Sequence, residues 1–313
     1  MSYDTKYRPA VFDDVVGNSG VVESLKKVTS KDDRPHAYLF HGPSGSGKTT
    51  LGRIIARELG CSEQDIQEIN SANNRGIDTI RAITKECQFK SLSGGNRVYI
   101  LDEFHQATTE SQNALLKVTE DAPAHAFFIF CTTNPEKIIE PLKNRCCRYS
   151  VSLLNRDEMS FLLNRVASRE GYTLTEDVLE VLIQVADGTP RTALRCFEMI
   201  EGITDIDKII DIIYKESYDE SQVIELCRTL VNQGSKWSKI VEIYKGLSGQ
   251  DYEKMRIALS GYFSACLQKA NTMNEVIRFS NILAELTKPL SFGTQKDELL
   301  HRISVIFLIN NSK

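Results

Sequence analysis

His41-Gly42-Pro43-Ser44-Gly45-Ser46-Gly47-Lys48-Thr49-Thr50 contains the pattern G-x-x-x-x-G-K-T, and its neighbours supply the setting that pattern needs. Ala37 to Phe40 is an apolar run suited to an interior parallel strand. Leu51, Ile54, Ile55 and Leu59 recur at helical spacing until Gly60 offers a helix end. Strand, glycine-rich loop and helix thus follow in the order of a phosphate-binding loop. The glycines let successive backbone N–H groups converge on phosphate oxygens, and Lys48 adds a point charge. The Thr49 hydroxyl can ligate magnesium, and the helix N-terminus contributes its dipole.

Working outward, Arg97 to Leu101 reads as a buried strand ending at Asp102-Glu103, and Ala126 to Cys131 as another delivering Thr132, Thr133 and Asn134. In a parallel sheet these strand ends open on the same edge as the phosphate loop, which brings Asp102 and Glu103 close to a bound nucleotide. Asn134 either feels a phosphate or forms an Asx-turn before Pro135. Asp65 to Asn70 is expected as a short interior strand, and Cys147 to Val151 as a closing one. Ile77, Ile80, Ile83 and Cys87 mark one face of a helix ending near Ser91, with Arg75, Arg81 and Lys85 off that face. Thr109 with Gln112 has the spacing of a capping box for a helix running to Glu120. Strands alternating with helices predict a parallel α/β domain.

Tyr7-Arg8-Pro9, Phe12, Val15 and Val16 form an arm expected to pack on that domain, ahead of a helix over Gly20 to Val28. Beyond residue 152 the strand signal stops. Asn155 with Glu158 resembles a capping box, and Thr175 to Asp187 and Arg191 to Glu201 read as two further helices, with Pro190 at a first turn. From about Glu216 the chain is again helical, with Ile240, Val241, Tyr244 and Leu247 near Trp237 forming one amphipathic stripe of the kind that enters a core.

Composition narrows the classes. Length of 313 residues suits two or three domains, and 41% hydrophobic with 26% charged residues excludes disordered and fibrous chains. Apolar runs are too short to span a bilayer, and Met1-Ser2-Tyr3-Asp4 does not begin a signal peptide. A formal charge of −4 argues against wrapping nucleic acid by bulk basicity, while a local basic stripe would not show in that sum. Eight scattered cysteines without a C-x-x-C pair point to buried thiols in a reducing cytoplasm rather than to zinc or disulfides.

Phosphate loop, Asp102-Glu103, Asn134, Arg145 and Pro190-Arg191 occur in an order that resembles the AAA+ ATPases. Lys6-Tyr7-Arg8-Pro9, Glu68-Ile69-Asn70-Ser71-Ala72, Asn113-Ala114-Leu115-Leu116-Lys117 and Asn144-Arg145-Cys146 narrow the resemblance to clamp-loader ATPases, the replication factor C small subunits and the bacterial gamma/tau subunit. It covers residues 3 to 195. The fold implied is an AAA+ core over residues 1–152, a parallel sheet with helices on both faces. An all-helical lid over 153–215 and an all-helical collar over 216–313 would follow it.

The resemblance also implies roles. Gly42, Pro43, Ser44, Gly45, Ser46, Gly47, Lys48, Thr49 and Thr50 would surround the phosphates of ATP, with Lys48 on the β and γ groups. Thr49 and Asp102 would hold Mg2+, and Glu103 would orient the attacking water. Asn134 would be a first sensor, Arg191 a second, and Arg145 would act in trans on a neighbour's ATP. Tyr7, Arg8, Pro9 and Val16 would border the adenine, and Asn70 would restrain Glu103 until DNA arrives. Arg75, Arg81 and Lys85 would follow the DNA backbone, Gln112 would relay that contact, and the surface near Phe89 would meet the clamp. Taken alone, those last residues also fit a solvated helix face with one exposed aromatic.

Two departures stand out: Asn144 replaces the serine usual before the Arg-Cys pair, and the zinc-binding cysteine cluster of gamma/tau is missing, so no zinc is expected. They place the chain nearer archaeal, eukaryotic or phage small subunits. The activity implied is ATP hydrolysis coupled to loading a sliding clamp on primer-template DNA. Its partners would be further copies of this chain, a distinct loader subunit, the clamp and DNA, with no membrane. The expected location is the cytoplasm at the nucleoid or replication fork, the nucleus in a eukaryote, or the host cytoplasm for a virus. Rival readings are another AAA+ DNA-remodelling ATPase, a helicase loader or branch-migration motor, and a non-hydrolysing scaffold. Intact Lys48, Asp102, Glu103 and Arg145 argue against the scaffold.

Overall fold

The computed structural model describes residues 1–73, 76–91, 94–203, 208–209, 212–213, 221–232, 234–247, 252–288, 290 and 295–311. They fall into two compact units, Met1–Glu198 and Met199–Lys313.

In the first unit five strands, β1 (Ala37–His41), β2 (Ile66–Asn70), β3 (Arg97–Asp102), β4 (Ala126–Thr132) and β5 (Cys147–Ser150), form one parallel sheet ordered β2-β3-β4-β1-β5. Its helices are α1 (Tyr3–Lys6), α2 (Ser19–Thr29), α3 (Lys48–Glu58), α4 (Ile77–Glu86), α5 (Thr109–Glu120), α6 (Glu140–Lys143), α7 (Arg156–Arg169), α8 (Glu176–Ala186) and α9 (Pro190–Met199). Both faces of the sheet are covered, so its inner strands β1, β3 and β4 read as apolar runs with residues sorted alternately to the two sides. Phe127, Ile129 and Cys131 join Tyr38 and Phe40 against Leu51, Ile54 and Ile55 of α3 and Leu25 of α2. Phe128 and Phe130 join Leu39 and Leu101 against Ile80 and Ile83 of α4 and Leu115 and Val118 of α5. Each such Phe contributes about 1.5–3 kcal/mol by burial. Pairing His41 with Thr132 and Leu101 with Phe130 brings the C-terminal ends of β1, β3 and β4 to one edge.

The described secondary structure of the second unit is helical, with helices at Ser221–Val231, Trp237–Gly246, Tyr252–Gln268, Met273–Leu286 and Gln295–Asn311. Ile240, Tyr244 and Leu247 enter its core with Leu259, Phe263 and Ile303, while Trp237 packs against it and Val241 is half-buried. The stripe is core, as its spacing implied. The expected domain boundary at 215/216 lies outside the described residues.

Three local expectations are corrected. β2 is an edge strand rather than an interior one: among the described strands it pairs only with β3, and its Gln67 and Glu68 are exposed. α4 stops at Glu86 because the chain tightens there, with Gln88 N donating to Lys85 O and Phe89 N to Glu86 O. The cap of α5 is Thr108, whose hydroxyl accepts the Ser111 amide, not Thr109 with Gln112. Gln112 is instead buried, accepting from Ile139 N and donating to Ala107 O and Lys137 O, which pins α5 to the segment after β4. The capping box at Asn155 and Glu158 is present at the start of α7.

Candidate nucleotide site

Between β1 and α3 the chain must reverse in six residues, and glycine makes the turn possible. Gly42 has φ +150, and a Cβ there would lie 2.0 Å from Val151 O. Gly45 has φ +73, and its Cβ would lie 2.4 Å from Thr189 Cγ2 in the loop before α9. Lys48 opens α3 and folds back under the loop, its Nζ donating to Gly42 O (2.9 Å) and Pro43 O (2.7 Å). Ser46 Oγ is buried without a hydrogen-bond partner, an orphaned group in a loop built to meet oxygens.

Next to the loop, Thr49 Oγ1 donates to Asp102 Oδ2 at 2.8 Å, and the Glu103 amide donates to Asp102 Oδ1 at 2.9 Å. Glu103 itself sits in the left-handed region at φ 49, a strain that side chains accept mainly at functional positions. Its carboxylate faces His105 Nε2 at 3.5 Å. Burial pulls the Lys48 ammonium below its ordinary value, opposed by Cys131, Glu103 and Asp102 and reinforced by Arg191. Burial likewise lowers the Arg8 guanidinium, aided by Arg53 and Arg191. The Cys131 thiol beneath Lys48 is pushed well up by burial and stays neutral. Lys48, Arg8, Arg165 and Arg191 thus meet in a cavity whose acids are Asp4, Asp102 and Glu103, and a polyphosphate would answer the cations further.

One cavity collects most of the residues singled out from the sequence. Tyr7, Arg8, Pro9, Val16, the loop from Ser44 to Thr50, Asp102, Glu103 and Arg191 line it. Gly42 and Pro43 stand behind the loop as acceptors for Lys48. Arg191 reaches it from the first turn of α9, where Pro190 costs no helix bond. The arm bearing Tyr7 is held by the helical segment of this unit: the Tyr7 hydroxyl donates to Glu170 Oε1, Lys6 Nζ lies 2.5 Å from the same oxygen, and the Tyr3 amide donates to Glu198. That contact lowers the Glu170 carboxyl, first through Lys6 and then through Tyr7.

Other expected residues lie elsewhere. Asn134 follows β4 with its amide donating to Thr132 Oγ1 at 3.0 Å; its side chain makes no cap on the turn at Pro135, and it is not among the described residues lining the cavity. Arg145 is exposed away from its own chain's cavity, donating to Glu120 Oε2 at 2.8 Å and Pro141 O at 3.0 Å. Asn70 Oδ1 accepts the Ala72 amide, and its backbone pairs opposite Asp102. Arg81 and Lys85 are exposed on α4, Phe89 is 70% exposed, and Arg75 lies outside the described residues.

Sequence reasoning missed Asn18, Arg165, Leu154 and Leu194 of the lining. Asn18 exchanges two hydrogen bonds with the Ser152 backbone, and Arg165 donates to Asp14 O. Neither contact leaves a local sequence signal. Among the described residues no group of three or more His, Cys, Asp or Glu is placed to hold a metal ion, and no helix is long and apolar enough to cross a membrane.

Residues 63–155 match a family model described as DNA polymerase III, delta subunit. DNA polymerase III subunit gamma/tau of Mycobacterium tuberculosis is 34% identical over 223 residues, covering 64% of this chain and 39% of that protein. Replication factor C subunit 4 of Encephalitozoon cuniculi is 33% identical over 222 residues, covering 66% of this chain and 68% of that protein. Near-equal identities on the two sides do not set this chain nearer one of them. The chain spans 39% of the length of the mycobacterial gamma/tau relatives that it matches. The solved structure of the Thermotoga maritima RuvB Holliday junction branch migration motor shares the fold with a TM-score of 0.58, at 21% identity, over 85% of this chain and 93% of that one.

Proposed function

The chain belongs to the clamp-loader family of AAA+ ATPases, and on that premise we propose that it is an ATP-hydrolysing subunit of a DNA polymerase sliding-clamp loader. ATP binding would assemble copies of this chain with a distinct loader subunit and open the clamp, and primer-template DNA would trigger hydrolysis and release. Residues 153–215 would serve as the lid and 216–313 as the collar of that assembly.

The observation that carries this reading is the convergence of Lys48, Thr49, Asp102 and Glu103 on one cavity. Lys48 would exchange its loop carbonyls for the β and γ phosphates, with the Ser46 hydroxyl and the first amides of α3 as further donors. Thr49 and Asp102 offer a hydroxyl and a carboxylate, an oxygen set that suits magnesium; these two residues would hold the ion, which would neutralise charge on the β and γ phosphates. Glu103 would orient the attacking water, and Arg191 would sense the γ phosphate from α9. The exposed Arg145 supports a role on a neighbour's ATP. Asn134 as first sensor and Asn70 as a restraint on Glu103 rest on position at the ends of β4 and β2. Gln112 would relay DNA contacts made by Arg81 and Lys85, supported by its bonds across two segments.

The test is the steady-state ATPase rate with and without sliding clamp and primer-template DNA. Stimulation by the two together is expected. A rate indifferent to both would favour another DNA-remodelling ATPase, and a Lys48→Ala chain that still hydrolysed ATP would remove the site assignment.

A further inference from the structure

β3 ends in a conformation that few side chains adopt. The left-handed backbone of Glu103 turns the chain off the sheet into a short 3-10 turn, Phe104–Gln106. Phe104 anchors that turn, fully buried with its ring centroid 4.7 Å from that of Phe130 in β4. With Phe104 fixed inward, His105 folds back over the ends of β3 and β4, its side chain only 7% exposed. Its Nε2 faces Glu103 Oε2 at 3.5 Å, and its Nδ1 lies 3.3 Å from Thr132 Oγ1. That same Thr132 oxygen accepts the Asn134 amide. Gln106 brings its carboxamide nitrogen within 3.1 Å of Nε2.

A neutral imidazole donates from one nitrogen and accepts at the other, so this ring has two sets of partners. With the proton on Nε2, the ring presents an N–H to the Glu103 carboxylate 3.5 Å away, the Gln106 carboxamide turns over so that its oxygen rather than its nitrogen meets the ring, and Thr132 donates its hydroxyl to Nδ1. With the proton on Nδ1, the ring donates to Thr132 and Nε2 accepts from Gln106, leaving Glu103 facing a lone pair. The first state holds Glu103, and the second releases it.

We propose that His105 is a positioning residue for Glu103: it holds the carboxylate through Nε2, while Thr132 ties the ring to the Asn134 end of β4. A displacement at Asn134 is thereby passed to the group that orients the water. The inference rests on the reading of Glu103 given above.

Full-length His105→Phe and His105→Gln chains test it. His105→Phe is expected to lower kcat about 10- to 100-fold, the effect of misplacing a reacting group by about an ångström, with nucleotide Kd changed less than about twofold. His105→Gln keeps an N–H donor in the same space and recovers much of the loss. In a Glu103→Gln background neither substitution lowers residual turnover further, because the group they act through is gone. If His105→Phe fails to fold, Thr132→Val, close in shape, removes the ring's anchor and carries the same expectation. Equal losses in kcat and affinity, no recovery by glutamine, or a full additional loss in the Glu103→Gln background would each overturn the proposal. A native chain without any ATPase activity refutes the functional reading instead, and the contact is then read directly. Long-range proton–nitrogen NMR of the full chain, with His105 assigned among the five histidines by His105→Gln, should place the ring proton on Nε2 in the native chain and on Nδ1 in Glu103→Ala. A ring unchanged by Glu103→Ala overturns the proposal on its own.

Discussion

Lys48 is a buried cation whose partners in the chain are two carbonyls, and its chemistry sets the pH response of the site. Burial holds its folded-state value below 10.5, so the ammonium is lost earlier on the alkaline side than in a free lysine. Nucleotide Kd should therefore rise with pH in a window that begins below 10.5, and Lys48→Met should bind more weakly and without that limb; titrating a fluorescent nucleotide against pH checks it. Stability moves the other way. In the interval between the folded and unfolded values the unfolded chain binds more protons, so Lys48 makes folding more favourable as pH rises. The opposite signs separate the two effects. Gly45 gives a second expectation, because Gly45→Ala combines a φ of +73 with a Cβ 2.4 Å from Thr189. Backbone strain alone costs about 1–2 kcal/mol. Gly60→Ala, at φ +75 with nothing within 4 Å, carries only that strain. Thermal denaturation of both variants should show the larger loss at Gly45, and equal losses would dismiss the crowding against Thr189.

Among elements, α7 is held at its start by the reciprocal bonds of Asn155 and Glu158. Asn155→Ala should cost about 1 kcal/mol, read as a lower denaturant midpoint with an unchanged slope. This cap was legible from sequence because both partners lie within four residues. So were β1, β3 and β4, each an apolar run ended by a polar residue at the site edge, and the lysine, threonine and carboxylates of the cavity. Signals that depend on tertiary placement were not. Ile66 and Ile69 mark β2 as a strand and carry no information on whether a neighbour lies outside it. Thr108 and Thr109 are equivalent as letters, and only the turn of the preceding chain selects Thr108 as the cap. Gln112 looked like a capping partner because its real partners stand 25 and 27 residues away in sequence. His105 escaped notice for the same reason: its contact with Thr132 spans 27 residues.

At the scale of the whole molecule, the proposal that Arg145 completes a neighbouring copy's cavity rests on its standing outside the cavity of its own chain. Arg145→Ala chains should bind nucleotide as well as the native protein yet fail to activate a neighbour. Mixing them with Lys48→Ala chains should restore part of the ATPase rate, and absence of rescue in a confirmed mixed assembly would remove the shared site. The two units add a different consequence. Phe128 and Phe130 belong to one apolar core, Phe263 and Ile303 to another, and the residues that line the cavity all belong to the first unit. Calorimetry should then resolve two endotherms rather than one. Nucleotide at a hundredfold excess over its Kd would add about 2.7 kcal/mol to the first unit only. A dye-based melting curve that happens to record the other endotherm would report no ligand at all, even with every phosphate loop filled.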